Sequence, residues 1–296
     1  MEREVHFSND GFPLLLGLPV DICIFTVTTE KREVDENETI DKRSLRSLPK
    51  RFLEILLVKR LNEPYHQRWA LPGGYTKIQN ESLEEAAIRE LKEETNLDAV
   101  VSGGLDQTIS GVYIEQMKAY YSPTRDPRGY TPTVAYVALV NEKYLQMLRA
   151  GGDAEEVKLF RLQLTEDNIL RFESEDETVT INKTELAFDH AHIIQDAVKH
   201  IQNMILTTTI AKTLLPEEFT IAELHQVIST IAPNFVVSTS NFTRDIVKTK
   251  TRDRMLEEVK DSDGTPKKSN QYSARPAQLY RFSKSYEPKL SIYPRL

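Results

Sequence analysis

The chain has 296 residues, 38 of them Lys or Arg and 45 Asp or Glu, with 40% hydrophobic and 28% charged residues and a formal net charge of −7. At roughly 150 residues per domain this leaves room for about two domains, each with its own core, and the balance excludes a fibrous, disordered or disulfide-stapled chain. A single cysteine, Cys23, excludes an intrachain disulfide and a cysteine-built zinc cluster and fits a reducing cytoplasm.

The first apolar stretch, residues 12–20 (FPLLLGLPV), holds two prolines and a glycine and is closed by Asp21, so it is too short to cross a bilayer. The opening MEREVH mixes both charges, unlike a secretory leader. The expectation is a cytoplasmic protein with no membrane partner. Charge is unevenly placed: from Leu206 onward there are 14 Lys and Arg against 10 Asp and Glu, or +4, which leaves 24 against 35, or −11, before it. An acidic first part suits metal or catalytic work and a basic last part suits a polyanion, although two solvated surfaces of unequal charge remain an alternative.

In chain order, residues 20–28 (VDICIFTVT) and 52–59 (FLEILLVK) are β-branched and aromatic and predict two neighbouring strands. The charged, aperiodic residues 30–50 between them predict a long inserted loop. Residues 81–95 (ESLEEAAIRELKEET) predict a helix with Leu83, Ala86, Ala87 and Leu91 as its apolar stripe. Strands follow at 111–121 and 133–140 and, more weakly, at 156–162. A helix over 189–205 or 206, with Ile193, Ile194, Ala197, Ile201 and Ile205 on one side, closes a mixed α/β domain over residues 1–205.

Residues 206–296 change pattern. Thr220 with Glu223 forms a capping box for a helix to about Ile231, Ser240 is expected to cap a second over 241–248, and strand-like residues 255–260 and 278–282 flank Asp263-Gly264, Pro266, Lys267 and Lys268. Helix, turn, helix and basic hairpin is the layout of a winged helix.

The chemistry concentrates in Trp69-Ala70-Leu71-Pro72-Gly73-Gly74, then Glu81, then Arg89-Glu90-Leu91-Lys92-Glu93-Glu94-Thr95. Helical spacing turns Glu90, Glu93 and Glu94 together, with Glu93 partly rotated. Like charges this close call for a hard divalent cation such as Mg²⁺ or Mn²⁺ between them, with Arg89 and Glu81 pairing in support. Gly73 and Gly74 allow a tight turn and close approach to a ligand. Such a cation bridging phosphate oxygens would favour pyrophosphate hydrolysis. A solvated, salt-bridged helix face is the other reading of the same residues.

This stretch resembles the Nudix box: G, five residues, E, seven residues, R-E-apolar-x-E-E-x-G-apolar. Gly74, Glu81 and residues 89–94 carry the match, Asn96 stands where Gly is usual, and six residues, 75–80, stand where five are expected. The resemblance implies a Nudix α/β/α sandwich that acts on a nucleoside diphosphate linked to another moiety, with Glu90, Glu93 and Glu94 as catalytic metal ligands supported by Arg89 and Glu81.

Residues 122–130 (SPTRDPRGY) resemble a segment of Nudix proteins that handle ADP-ribose. Arg125 or Arg128 can pair with a phosphate and Tyr130 or Tyr121 can stack on adenine, and a charged turn between strands remains the alternative. The Nudix resemblance further implies that Asp153, Glu155 and Glu156 lie in a loop that often supplies another metal ligand or base in this superfamily. His190 and His192 are expected to pack or cap.

With LAFDH at 186–190 and ARPAQLY at 274–280, the chain resembles the Nudix-related transcriptional regulators of the NrtR type. That likeness implies a ligand-responsive regulator: an ADP-ribose-like nucleotide in the Nudix domain, a double-stranded DNA operator, and a homodimer. Asn241, Thr243 and Arg244 would lie near base edges or phosphates and Lys248, Lys250, Arg252, Lys267, Lys268 and Arg275 on the backbone. The competing class is a Mg²⁺-dependent ADP-ribose or nucleotide-sugar pyrophosphatase whose last part dimerises or selects substrate.

Overall fold

The computed structural model describes residues 18–30, 47–77, 81–95, 112–145, 154–164, 170–174, 179–247, 255–272 and 275–283. The chain forms two compact units. One holds Met1–Thr26 and Glu54–Lys199, the other Val27–Leu53 and His200–Leu296.

The sheet is built from β1 (Pro19–Thr29), β2 (Arg51–Arg60), β3 (Trp69–Ala70), β4 (Gly73–Tyr75), β5 (Val112–Tyr120), β6 (Thr133–Val140), β7 (Ala154–Leu164), β8 (Leu170–Ser174) and β9 (Thr180–Asn182). Its order is β5-β6-β1-β2-β7-β8-β9, with β3 paired to β2 and β4 to β1. β1 runs parallel to β6, Val20 beside Val134 through Phe25 beside Leu139, while β2 and β7, β5 and β6, and β7 to β9 pair antiparallel. The sheet is therefore mixed.

Helix α1 (Leu83–Thr95) lays Ala86, Ala87 and Leu91 on Val20, Ile22, Ile24, Leu56, Tyr136 and Ala138 in one buried cluster. The alternate side chains Cys23, Phe25, Val137 and Leu139 are fully buried as well. Strands covered on both faces read as continuous apolar runs, which is why β1 and β6 stand out in the sequence. Trp69 meets Phe160 edge to face at 4.8 Å. β8, β9 and the two- and three-residue strands β3 and β4 carry too little alternation to be read in advance, and most of the inserted loop lies outside the described residues.

After a 3-10 turn capped reciprocally by Asn182 and Glu185, α2 (His190–Thr207) begins. It keeps Ile193, Ile194, Ala197, Ile201 and Ile205 buried and continues without a break from the first compact unit into the second. At 1.5 Å per residue it is about 27 Å long. No described helix is long and apolar enough to cross a membrane.

The second unit contains α3 (Ala211–Leu214), α4 (Ile221–Ile231), α5 (Thr239–Val247) and the strands β10 (Leu256–Glu258), β11 (Lys268–Ser269), β12 (Ala277–Gln278) and β13 (Tyr280–Phe282). β10 pairs β13 and β11 pairs β12, both antiparallel, which makes the hairpin of a winged helix. α4 opens on the expected box: Thr220 accepts from the Glu223 amide and Glu223 accepts from the Thr220 amide at 2.8 Å. α5 starts earlier than expected because Ser238, not Ser240, receives the Asn241 amide. Phe242 anchors α5 against His225 and Phe235.

Thr220→Ala removes the cap acceptor and one reciprocal bond. The expected loss is about 1 kcal/mol, read as an earlier loss of helical circular dichroism for the second unit while Trp69 fluorescence reports an unchanged first unit.

Candidate functional site

α1 presents its acidic side to the turn that leads into β4. Arg89 donates through Nε to Glu81 Oε1 at 2.7 Å, through Nη2 to Glu81 Oε2 at 3.1 Å and to the Tyr75 carbonyl at 3.1 Å, and through Nη1 to Glu90 Oε1 at 2.5 Å. Its Nη1 also lies 3.6 Å from Glu93 Oε2. One guanidinium thus joins three carboxylates and fixes the β4 backbone. The hydrogen bond from Arg89 holds the Glu81 carboxyl below its usual range.

For Glu90 burial comes first and pushes the carboxyl up; Arg89 opposes this, and Glu93 and Glu81 add to it. Glu93 is exposed, and Glu94 follows on the same helix with its side chain outside the described atoms. Among the described residues no three His, Cys, Asp or Glu side chains form a metal-ready group.

The glycines explain the close fit. A Cβ on Gly74 would fall 2.2 Å from Glu90 Oε1, and one on Gly73 would fall 2.1 Å from the Val20 carbonyl oxygen and 3.1 Å from Asp21 Oδ1. The Glu90 carboxylate is therefore seated directly against backbone. Oxygen donors that are partly desolvated and mutually repelling fit a hard divalent cation.

The SPTRDPRGY segment lies between β5 and β6 and divides its arginines between two environments. The Arg125 side chain is only 4% exposed. It donates to both Asp189 oxygens, at 2.9 to 3.1 Å, to Asp21 Oδ2 at 3.2 Å and to the Thr131 carbonyl at 3.2 Å. Arg128, 47% exposed, forks onto Asp126 at 2.8 to 3.2 Å and lies over the Tyr75 and Phe188 rings. Tyr121 and Tyr130 are exposed.

Asp21 is buried, which alone would raise its carboxyl; His190 and Arg125 outweigh burial and hold it below its ordinary 3.8. The His190 Nδ1 accepts the Leu71 amide at 2.9 Å, so its proton sits on Nε2, 3.4 Å from Asp21 Oδ1. His192 pairs instead with Asp196. Glu155 and Glu156 stand on strand β7, as the strand expected over 156–162 has it for Glu156, and not in the loop that the resemblance implied. Glu155 accepts from Gln67, and Glu156 lies between Lys59 and Lys158; Asp153 lies outside the described residues.

In the second unit Thr239, Ser240, Asn241 and Arg244 are exposed along α5, Thr243 is half-buried, and Arg244 pairs with Asp245. Lys268 and Arg275 are exposed, and Lys267 donates to Glu218 at 2.6 Å. Lys248, Lys250 and Arg252 lie outside the described residues.

Asp21, Asp189 and Tyr75 are the site-forming residues that the sequence did not announce. Asp21 left one signal, a charge inside an otherwise apolar strand, which demands a buried partner.

A mixed sheet with an acidic helix set against Gly74, followed by a winged helix, defines the chain as a two-domain Nudix protein. The NUDIX domain family matches residues 48–182, and the NrtR DNA-binding winged helix domain matches residues 211–282. A curated relative, the ADPR responsive transcriptional repressor NtrR of Acinetobacter baylyi, is 32% identical over 251 residues, 82% of each chain. The crystal structure of a MutT/nudix family protein from Enterococcus faecalis covers 90% of this chain and 86% of its own at 27% identity and a TM-score of 0.60. That of Shewanella oneidensis NrtR covers 93% and 99% at 24% identity and 0.56, a likeness of fold. The chain belongs to the NrtR family of Nudix-domain, winged-helix proteins.

Three substitutions test this geometry. Arg125→Gln strands a buried Asp21 without its cation and is expected to cost about 3–5 kcal/mol, measured by urea unfolding followed at Trp69. Because the folded Asp21 carboxyl is depressed, its contribution is present above about pH 4 and is lost as pH falls through the folded value, so the gap from wild type should narrow in acid. Gly73→Ala collides with backbone and is expected to lower stability by about 1–3 kcal/mol. Gly74→Ala meets a side chain that can swing away, so it should keep the fold and weaken divalent-cation binding, as read by calorimetry.

Proposed function

We propose that the protein is a transcriptional repressor of the cytoplasm whose hold on a DNA operator is set by ADP-ribose, or a related nucleoside diphosphate derivative, in its Nudix domain. The observation that carries this reading is the combination in one chain of an acidic helix seated against Gly74 with a winged helix whose α5 exposes Thr239, Ser240, Asn241 and Arg244. The repressor named for its response to ADPR is related across both parts.

In the Nudix domain Gly73 and Gly74 let the ligand pyrophosphate approach backbone, Arg128 offers an exposed guanidinium, and Tyr130 offers a ring to the adenine. Arg125, already held by Asp21 and Asp189, positions that segment rather than reaching out. Glu90, Glu93 and Glu94 would hold Mg²⁺ or Mn²⁺, which supplies charge neutralisation at the pyrophosphate and a more acidic bound water. Arg89 and Glu81 keep Glu90 in place.

In the winged helix Asn241, Thr243 and Arg244 read bases, while Lys267, Lys268, Arg275 and Lys248 contact phosphates. A homodimer on a two-fold operator matches the usual use of such modules. Ligand releases DNA by favouring the arrangement that fits the operator less well. The intact Arg89-Glu90-x-x-Glu93-Glu94 run favours a second activity, slow hydrolysis of the same ligand.

A salt-series gel shift on DNA upstream of the gene, with and without ADP-ribose at fixed Mg²⁺, tests the reading. Specific binding that ADP-ribose weakens is the expected result; no specific binding on any candidate operator would overturn it in favour of a plain hydrolase. Lys268→Ala should reduce the salt slope by about 1 without changing sequence preference. Glu94→Gln should abolish any hydrolysis and leave operator binding intact.

A further inference from the structure

Phe188 stands where a side chain is costly. It is the second residue of the turn closed by the His190 amide on the Ala187 carbonyl, at 3.2 Å, and its φ is 52°. Gly, Asn or Asp is the ordinary occupant of such a position. The ring that Phe188 meets edge-on at 4.8 Å belongs to Tyr65, itself at φ 66°. Three guanidinium groups lie over the Phe188 ring: Arg60 at 5.0 Å, Arg128 at 5.8 Å and Arg125 at 5.9 Å. The His190 ring lies 5.2 Å away as well, so an aromatic residue in left-handed backbone is packed on several sides.

The three cations differ in how firmly they are kept. Arg125 is buried between Asp21 and Asp189, and Arg60 donates to the Pro64 carbonyl at 2.9 Å. Arg128 is half exposed, and its second ring partner is Tyr75, whose carbonyl accepts from Arg89 of the acidic helix. Arg128 is thus the half-exposed member of the cluster, lying over the ring of the residue that follows Gly73 and Gly74. Two residues beyond Phe188, α2 begins, and it runs unbroken through Lys199 into the unit that carries the winged helix.

We propose that Phe188 is the positioning residue that converts nucleotide binding into movement of α2. A ligand phosphate on the exposed side of Arg128 turns its guanidinium off the Phe188 ring while the buried Asp126 keeps its hydrogen bonds, the turn loses a contact to its ring, and the first residues of α2 shift. The ligand then favours one state of the turn over the other, which linkage requires of any effector. This rests on the reading that a nucleotide in the Nudix domain controls operator binding.

Phe188→Gly and Phe188→Asn both suit φ 52° and remove the ring, and Phe188→Tyr keeps it. ADP-ribose affinity is measured by calorimetry and operator affinity by fluorescence anisotropy, with and without ADP-ribose, on the full chain. The Gly and Asn variants are expected to bind ADP-ribose and, without it, the operator within about threefold of wild type, while the ratio of operator affinities without and with ligand falls about tenfold towards unity. Phe188→Tyr is expected to keep the wild-type ratio.

An unchanged ratio in both ring-less variants overturns the relay while leaving the regulator reading intact. A ring-less protein that binds neither partner also overturns it, marking Phe188 as structural. A wild-type protein that binds its operator with no response to ADP-ribose sinks the reading and the relay together.

Discussion

The constraint on which the rest of the first unit depends is the desolvated guanidinium of Arg125. A cation removed from water must be met on nearly every donor or it destabilises the fold. Here Asp189, Asp21 and the Thr131 carbonyl meet it. Those partners sit at the start of α2, on β1 and in the segment before β6, so satisfying one charge fixes three pieces of chain that are distant in sequence. Asp21 also faces Gly73 across the β1 and β4 pairing, where Oδ1 would lie 3.1 Å from any added Cβ. The turn that leads to the acidic helix is consequently aligned by the same ion network that anchors the α2 entry.

Much of this was legible because it is local. β6 occupies residues 133–140 as its uniform apolar run indicates, α1 carries the stripe that its spacing indicates, and the Thr220 box opens α4. The Glu81 and Arg89 pairing is local too, joining a residue just before α1 to one eight positions on. What could not be read is long-range. Arg125 finds Asp21 across 104 positions and Asp189 across 64, and nothing in the local SPTRDPRGY chemistry distinguishes an arginine that will be buried from one that will meet solvent. Short strands such as β3 and β9 exist only because a neighbour's edge recruits them, so periodicity has nothing to register. Glu155 was misplaced for a related reason, since pairing with β2 extends β7 upstream of the strand expected from residue 156.

The two units divide their chemistry by charge. The acidic helix of the first gathers carboxylates around Arg89, so the nucleotide proposed there would need cations of its own, from Arg128 and from a divalent ion at the carboxylates. The second unit pairs several of its described cations with its own acids, Arg244 with Asp245, Lys267 with Glu218 and Arg281 with Glu257. Those are exposed pairs worth little in water, and exchange of such a carboxylate for a DNA phosphate is an inexpensive step. Affinity for DNA is then tunable by modest shifts in presentation.

A signal between such units needs an element that is continuous and another that is exchangeable. α2 is continuous, a single helix from His190 to Thr207 that keeps Ile193, Ile194, Ala197 and Ile201 buried. Arg125 cannot be the exchangeable element, because releasing it would leave buried carboxylates unpaired at a cost larger than most effectors supply. Arg128 can, because its guanidinium is half exposed and a phosphate can pair with its outer side while the buried Asp126 keeps its hydrogen bonds. Two arginines three positions apart in one segment are therefore suited by burial alone to opposite tasks: one keeps the first unit in register, and the other responds to what binds there.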